Sequence, residues 1–200
     1  MLRLGVMNIR EITLPEAPRV RTEYNLPFLN QEVDISQGYN GPYSHKALEY
    51  KFAYGKTVQD DRFSLDFALP IGTSVRAAKE GIVKFIVDGF SQYYQGLDIQ
   101  KAIYFYTNHL YLVHEDGSFT LYSHLQKGSF QVKIGNYIRQ GEIMAHTGLS
   151  GWIGLTPHLH FAAGIFKDNR HRETFPIQFK EYNDVLEHEE LDLERVVSCI

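Results

Sequence analysis

Two histidines one residue apart, His158 and His160 in TPHLHFAAGIF, are the residues of this chain whose type and spacing point most directly to chemistry. On a strand successive side chains alternate between faces, so the two imidazoles share one face while Leu159 and Phe161 turn to the other. At a rise of about 3.3 Å per residue they stand roughly 6–7 Å apart, within reach of one shared metal-water site. Taken alone, a His-x-His reads first as a surface pair. Two other segments offer ionisable groups of matching parity. In RFSLDFALP, Phe63, Leu65, Phe67 and Leu69 take the apolar face and leave Asp66 opposite, between Ser64 and Ala68. A carboxylate there needs a partner, because desolvating an unpaired charge is costly; an aspartate bonded to turn backbone is the plain alternative. In SFTLYSHL (118–125) the alternation sets Phe119, Leu121, Ser123 and Leu125 on one face, with Thr120, Tyr122 and His124 on the other, one face core and one polar. Imidazole nitrogen and carboxylate oxygen are ordinary zinc ligands, and a catalytic zinc site uses three of them with a fourth position for water. Two His and one Asp meet that requirement, and zinc so held acidifies its water and polarises a carbonyl.

The elements that must position these residues are strands. From about Ser64 to Phe166, short runs of Val, Ile, Tyr, Phe and Thr are punctuated by glycines, a spacing that predicts antiparallel strands rather than helices. HEDGSF (114–119) predicts a hairpin turn, since Asp-Gly suits positive φ. The polar, aromatic stretch 39–61 predicts a long loop or hairpin, TFPIQF (174–179) one more strand, and EYNDVLEHEELDLERVVS a charged helix or tail. At 200 residues with 44% hydrophobic and 22% charged, the chain suits one soluble globular domain, and 13 Tyr and 13 Phe favour β structure. A net charge of -4 gives no electrostatic case for nucleic acid, whose binders concentrate positive charge. With Cys199 the only cysteine, neither an internal disulfide nor a Cys-rich zinc site can form, so a metal falls to His and carboxylates. The first residues break their apolar run at Arg3, Asn8, Arg10 and Glu11, so no signal peptide is expected, and no run of about 18 apolar residues predicts a membrane span.

Three segments in order, FSLDFALPIGTSVRAAKEGIV (63–83), the stretch from Asn108 through VHEDGSFTLYSHL to VKIGNYIRQGEIMAHTG, and GLSGWIGLTPHLHF (148–161), resemble the lysostaphin and LytM-like zinc metallopeptidases. The resemblance spans roughly half the chain, from His45 with gaps to Phe161. It implies a mostly β fold of antiparallel sheets forming a groove, with long loops and a short C-terminal helix. Residues 1–44 are expected as strands and loops packed on a metallopeptidase core of 45–167, with 168–200 as an extension, all in one compact domain. It also implies one Zn2+ held by His45, Asp66 and His160, with His124 and His158 catalytic. The family's commonest spacing places a His four residues before the Asp, where this chain has Arg62, which cannot ligate zinc. His45, in a Tyr-Ser-His context, takes that role only if the 21 positions between it and Asp66 loop out and return. Thr156 stands where the family usually has glycine. His109, His114, His146, His171 and His188 are expected to pack or meet solvent. The implied function is hydrolysis of peptide bonds in peptidoglycan cross-links or bridge peptides, acting in the cell envelope or outside it. The alternative is a non-catalytic wall-binding or hydrolase-activating module with a degenerate metal site. An unrelated β-barrel site such as a cupin is disfavoured, because FAAGIF after His160 supplies no carboxylate.

Overall fold

The ten-residue strand Leu159–Asp168 organises the molecule. In this computed structural model the structure describes residues 8–14, 20–29, 33–39, 45–52, 55–94, 106–154 and 156–181. Every regular element among them is a strand, labelled here in chain order. The main sheet has eleven strands. Its path runs β1 (Asn8–Glu11), β4 (Ala47–Phe52), β5 (Gly55–Asp60), β16 (His171–Thr174), β15 (Leu159–Asp168), β11 (Ser118–Ser123), β10 (His109–Val113), β8 (Gly81–Val87) and β12 (Tyr137–Ile138). One edge of β15 belongs to β11, and the other is shared by β16 at its C-terminal end and by β6 (Leu65–Phe67) at its start. Beyond β6 lies β3 (Ile35–Gln37). Three two-stranded pairs complete the fold: β7 (Ser74–Arg76) with β13 (Ile143–His146), β9 (Tyr93–Tyr94) with β14 (Gly151–Trp152), and β2 (Arg21–Tyr24) with β17 (Ile177–Phe179). The sheets are not wholly antiparallel: β16–β5, β14–β9 and β17–β2 are parallel.

Strand alternation divides the main sheet into two faces. Leu110, Leu112, Tyr122, Leu159, Phe161 and Ala163 join Leu65 and Phe67 in the main core, which also takes in Tyr24, Phe28, Phe175, Ile177 and Phe179 from before and after the site segments. On the opposite face Phe119, Leu121 and Ala162 form a second cluster with Tyr111 and Val113 packed on it. Gly164 lets β15, β16 and Phe119 approach, since a Cβ there would lie 2.3 Å from the Glu173 carbonyl oxygen and 2.8 Å from the Phe119 ring. The predicted hairpin at 114–119 joins β10 to β11, with Gly117 at φ 78° and the Asp116 carboxylate accepting from the Ser118 N–H at 2.9 Å. TFPIQF is split at Pro176, its first residue ending β16 and its last three forming β17. The expected C-terminal helix falls almost wholly in 182–200, outside the described residues, as do His188 and Cys199.

Candidate metal centre

Register puts a polar line across the face opposite the main core. Asp66 on β6 lies directly opposite His160 on β15, His160 opposite Ser123 on β11, and Ser123 opposite His109 on β10. Directly paired residues project to the same face, so the carboxylate and imidazole meet without any special loop. His160 Nδ1 lies 3.0 Å from Asp66 Oδ1. His158, immediately before β15, brings Nε2 to 3.4 Å from Asp66 Oδ2 while Leu159 and Phe161 fill the core behind.

His45 arrives by a hairpin. Strands β4 and β5 pair from Ala47↔Asp60 to Phe52↔Gly55, and one step beyond the ladder the Asp61 N–H donates to the Lys46 carbonyl at 3.2 Å. That register brings the residue before Lys46 alongside the turn at Arg62, so the excursion between His45 and Asp66 closes on itself. His45 Nε2 ends 3.2 Å from His160 Nδ1 and 3.4 Å from Asp66 Oδ2. The Arg62 guanidinium instead pairs with buried Asp60, Nε to Oδ1 at 2.9 Å and Nη2 to Oδ2 at 3.2 Å. His45, Asp66 and His160 therefore each offer one ligand atom, all within 4.8 Å of one another, as a metal ion requires.

His124 reaches the site by breaking the strand rule. The alternation read over 118–125 put it on one face with Tyr122, and Leu125 with Leu121; the structure corrects this. Tyr122 is fully buried in the main core, where its hydroxyl accepts from the Ala78 N–H at 2.8 Å, while Leu121 lies in the opposite cluster. At His124 φ is 61°, the left-handed region, which ends β11 and turns the ring out of sequence with its strand. Leu125 then enters the main core beside Tyr122. The loop 148–150 holds this turn: Gly148 N–H donates to the His124 carbonyl, and His124 Nδ1–H donates to the Ser150 carbonyl, both at 2.8 Å. A Cβ at residue 148 would lie 2.5 Å from the Gln126 nitrogen. The His124 and His158 ring centroids stand 4.6 Å apart.

Backbone carbonyls fix which nitrogen of each catalytic candidate faces inwards. His158 Nδ1–H donates to the Thr156 carbonyl at 2.8 Å, as His124 does to Ser150, so on either ring the nitrogen left for exchange of a proton is Nε2. Burial works against an ionised Asp66, but His158 and His45 outweigh it and hold its pKa well below the carboxylate range. Burial likewise opposes a charged His45, and Asp66 reverses the sign and raises its pKa. For His124, burial and then the neighbouring His158 and His160 depress the pKa strongly, keeping the ring neutral.

Of the other histidines, His109 and His114 donate Nδ1–H to the Thr107 and Glu80 carbonyls, and His171 pairs with Glu173 at 3.1 Å. None of them, nor His146, joins the ligand group among the described residues. Sequence reading passed over a charged group beside the centre. Arg172 Nη2 on β16 donates to both oxygens of Asp61, at 2.7 and 2.9 Å, and its Nη1 bonds the Tyr111 hydroxyl. The acidic run Asp60-Asp61 was its sole sequence signal; nothing links Asp61 to a residue 111 positions away.

The profile of Peptidase family M23 matches residues 61–172, more than half the chain, and takes in Asp66, His124, His158 and His160. The chain belongs to peptidase family M23. Within M23 it is similar to the glycyl-glycine endopeptidase ALE-1 of Staphylococcus capitis, 31% identical over 119 residues, covering 58% of this chain and 28% of that protein. It is similar also to lysostaphin of Staphylococcus simulans, 34% identical over 100 residues, covering 50% and 17%, and to the peptidoglycan DD-endopeptidase ShyC of Vibrio cholerae, 32% over 108 residues, covering 52% and 21%. The matched part thus spans less than a third of each of these curated relatives. A solution structure of lysostaphin aligns over 74% of this chain and 49% of its own, at 25% identity and a TM-score of 0.47. The M23 match begins at Asp61, so His45 lies outside it.

Proposed function

We propose that this M23 chain is a zinc-dependent metalloendopeptidase hydrolysing peptide bonds in peptidoglycan cross-links or bridge peptides, and so acting in the cell envelope or outside it. His45, Asp66 and His160 hold one Zn2+, and His124 and His158 act on the substrate. The observation that carries this reading is the convergence of three segments: one ligand atom each of His45, Asp66 and His160 lies within 4.8 Å of the others, with His160 Nδ1 3.2 Å from His45 Nε2 and 3.0 Å from Asp66 Oδ1. Ligands about 2.0–2.1 Å from zinc at tetrahedral angles stand roughly 3.3–3.4 Å apart, so the donor set fits in both chemistry and spacing. Zinc bound there supplies Lewis-acid polarisation of the scissile carbonyl and acidification of water.

The chain's own groups divide the remaining work. With Nδ1–H committed to backbone carbonyls, His124 and His158 present Nε2 as the nitrogen that exchanges a proton, oriented by fixed backbone rather than by mobile side chains. Either can take the proton of the attacking water and, once charged, donate from Nε2 to the oxygen on which negative charge develops. The depressed pKa of His124 supports its starting neutral.

Arg62 was the sequence's main argument for a non-catalytic module. The hairpin weakens it, because His45 supplies a ligand beside that turn. In a wall-clearing or bridge-peptide assay with stoichiometric zinc, the unmodified protein is expected to cleave. Asp66→Asn is expected to lose bound zinc and to lower the rate on the order of 10³-fold, several kcal/mol of transition-state stabilisation. A zinc-loaded protein that leaves walls and bridge peptides intact, while a known relative cleaves them alongside, sinks the enzyme reading. Purified protein that takes up no zinc favours the binding module.

A further inference from the structure

Asp61 stands between the segments that bring the three ligand atoms together. Its N–H holds Lys46, next to His45, and its carbonyl accepts from the Ser64 N–H at 2.9 Å, two residues before Asp66. Its carboxylate is gripped by Arg172, whose strand β16 pairs with β5 at Gln59 and with the third ligand's strand, β15, at Phe166. Tyr111 on β10 anchors the guanidinium from the far side. A histidine that binds a metal ordinarily donates its second ring N–H to a carboxylate, carbonyl or water, which fixes the ring and raises its basicity. Among the described residues His45 Nδ1 is buried without a well-formed hydrogen bond, the Ser64 backbone lying beside it. His45 thus depends on how the 61–64 turn is held.

We infer that Asp61, clamped by Arg172 and Tyr111, is a positioning residue of the metal centre, fixing the His45 segment and the 61–64 turn so that His45 and His160 meet one ion with Asp66. This rests on the ligand set proposed above. The group touches no substrate; its effect is on how tightly zinc is held.

Zinc affinity measured by chelator competition on the folded full chain tests it, with no assay of cleavage. Asp61→Asn keeps the shape of the side chain and removes its charge, and is expected to weaken zinc binding about 10- to 100-fold. Removing the carboxylate charge beside Arg172 in a partly buried place can also destabilise the fold, so Asp61→Asn/Arg172→Gln is measured beside it. Removing both charges restores electrical balance, and if Asp61 served only the ion pair, zinc affinity would return. The inference expects the double variant to fold and to remain at least about 10-fold weaker. Unmodified affinity in the double variant overturns it. Asp66→Asn is the control for the ligand set itself: loss of zinc there with full affinity in the Asp61 variants refutes the positioning role alone, whereas full affinity in Asp66→Asn refutes the ligand set and the inference with it.

Discussion

His124 shows most clearly how a single residue trades local comfort for placement. A non-glycine residue at φ 61° costs on the order of 1–2 kcal/mol, and the strain persists only because the 148–150 loop holds the ring and carbonyl together. In a regular strand this imidazole would point into the core with Tyr122, so the unusual dihedral is what delivers it beside His158. His124→Gly separates the two effects. Glycine adopts this φ freely and gives up the imidazole and its bond to Ser150, so relief and loss nearly offset. Stability is expected to stay within about 1 kcal/mol of the unmodified protein by urea denaturation. The rate of peptide cleavage is expected to fall about 10²–10⁴-fold, the usual range for losing a proton-transfer group. Unchanged cleavage would remove His124 from the proposed chemistry.

At the scale of elements, the β4–β5 hairpin decides where the first ligand comes from. It is not a free lid: β4 pairs with β1 and β5 with β16, so the hairpin is built into the main sheet. Its register, rather than any sequence neighbour of Asp66, sets the place of His45. Val58 N–H donates to the Arg170 carbonyl at 2.9 Å, across the seam between this hairpin and the rest of the sheet. Val58→Pro removes that bond and forces the ring into a strand with neighbours on both sides. A stability loss of about 1–3 kcal/mol is expected, together with zinc affinity lowered to the level of His45→Ala, because Asp66 and His160 keep their direct β6–β15 pairing. Zinc bound as tightly as in the unmodified protein would show that the hairpin does not position a ligand.

Over the whole molecule, half-buried His109 and buried His114, neither of them in the ligand set, make stability depend on pH. Burial holds His109 and His114 below the ordinary 6.5 despite the carbonyls that accept from them. The unfolded chain takes up protons near 6.5 while the folded chain does not, so stability falls as pH drops below that value. His124 and His160 act in the same direction; His45, raised by Asp66, opposes them. Asp61, Asp66 and Asp116 are all held below the ordinary 3.8, Asp116 by its bonds to Ser118 and Lys79 once burial is overcome, so their contributions are lost only at more acid pH. The metal-free protein is therefore expected to unfold at lower urea concentration at pH 5.5 than at pH 7.5. An equal midpoint at both would mean that these imidazoles are charged inside the fold.

What the sequence determined by itself was local. Alternation in RFSLDFALP and TPHLHF sends Leu65, Phe67, Leu159 and Phe161 into one core and leaves Asp66, His158 and His160 on the other face, because a strand's two-residue period is a property of the backbone. The β class followed from the same pattern. The tertiary structure alone decided the rest. His45 could be seen as a candidate, but only the hairpin register gives it a neighbour; Arg62 could be seen not to ligate, but only Asp60 explains where its charge goes. The turn at His124 escaped the period because a left-handed residue resets it, and the hold on that residue comes from a loop 24 or more positions away. Asp61 meets Arg172 for a similar reason: contacts between distant segments depend on strand order, which no short-range period encodes.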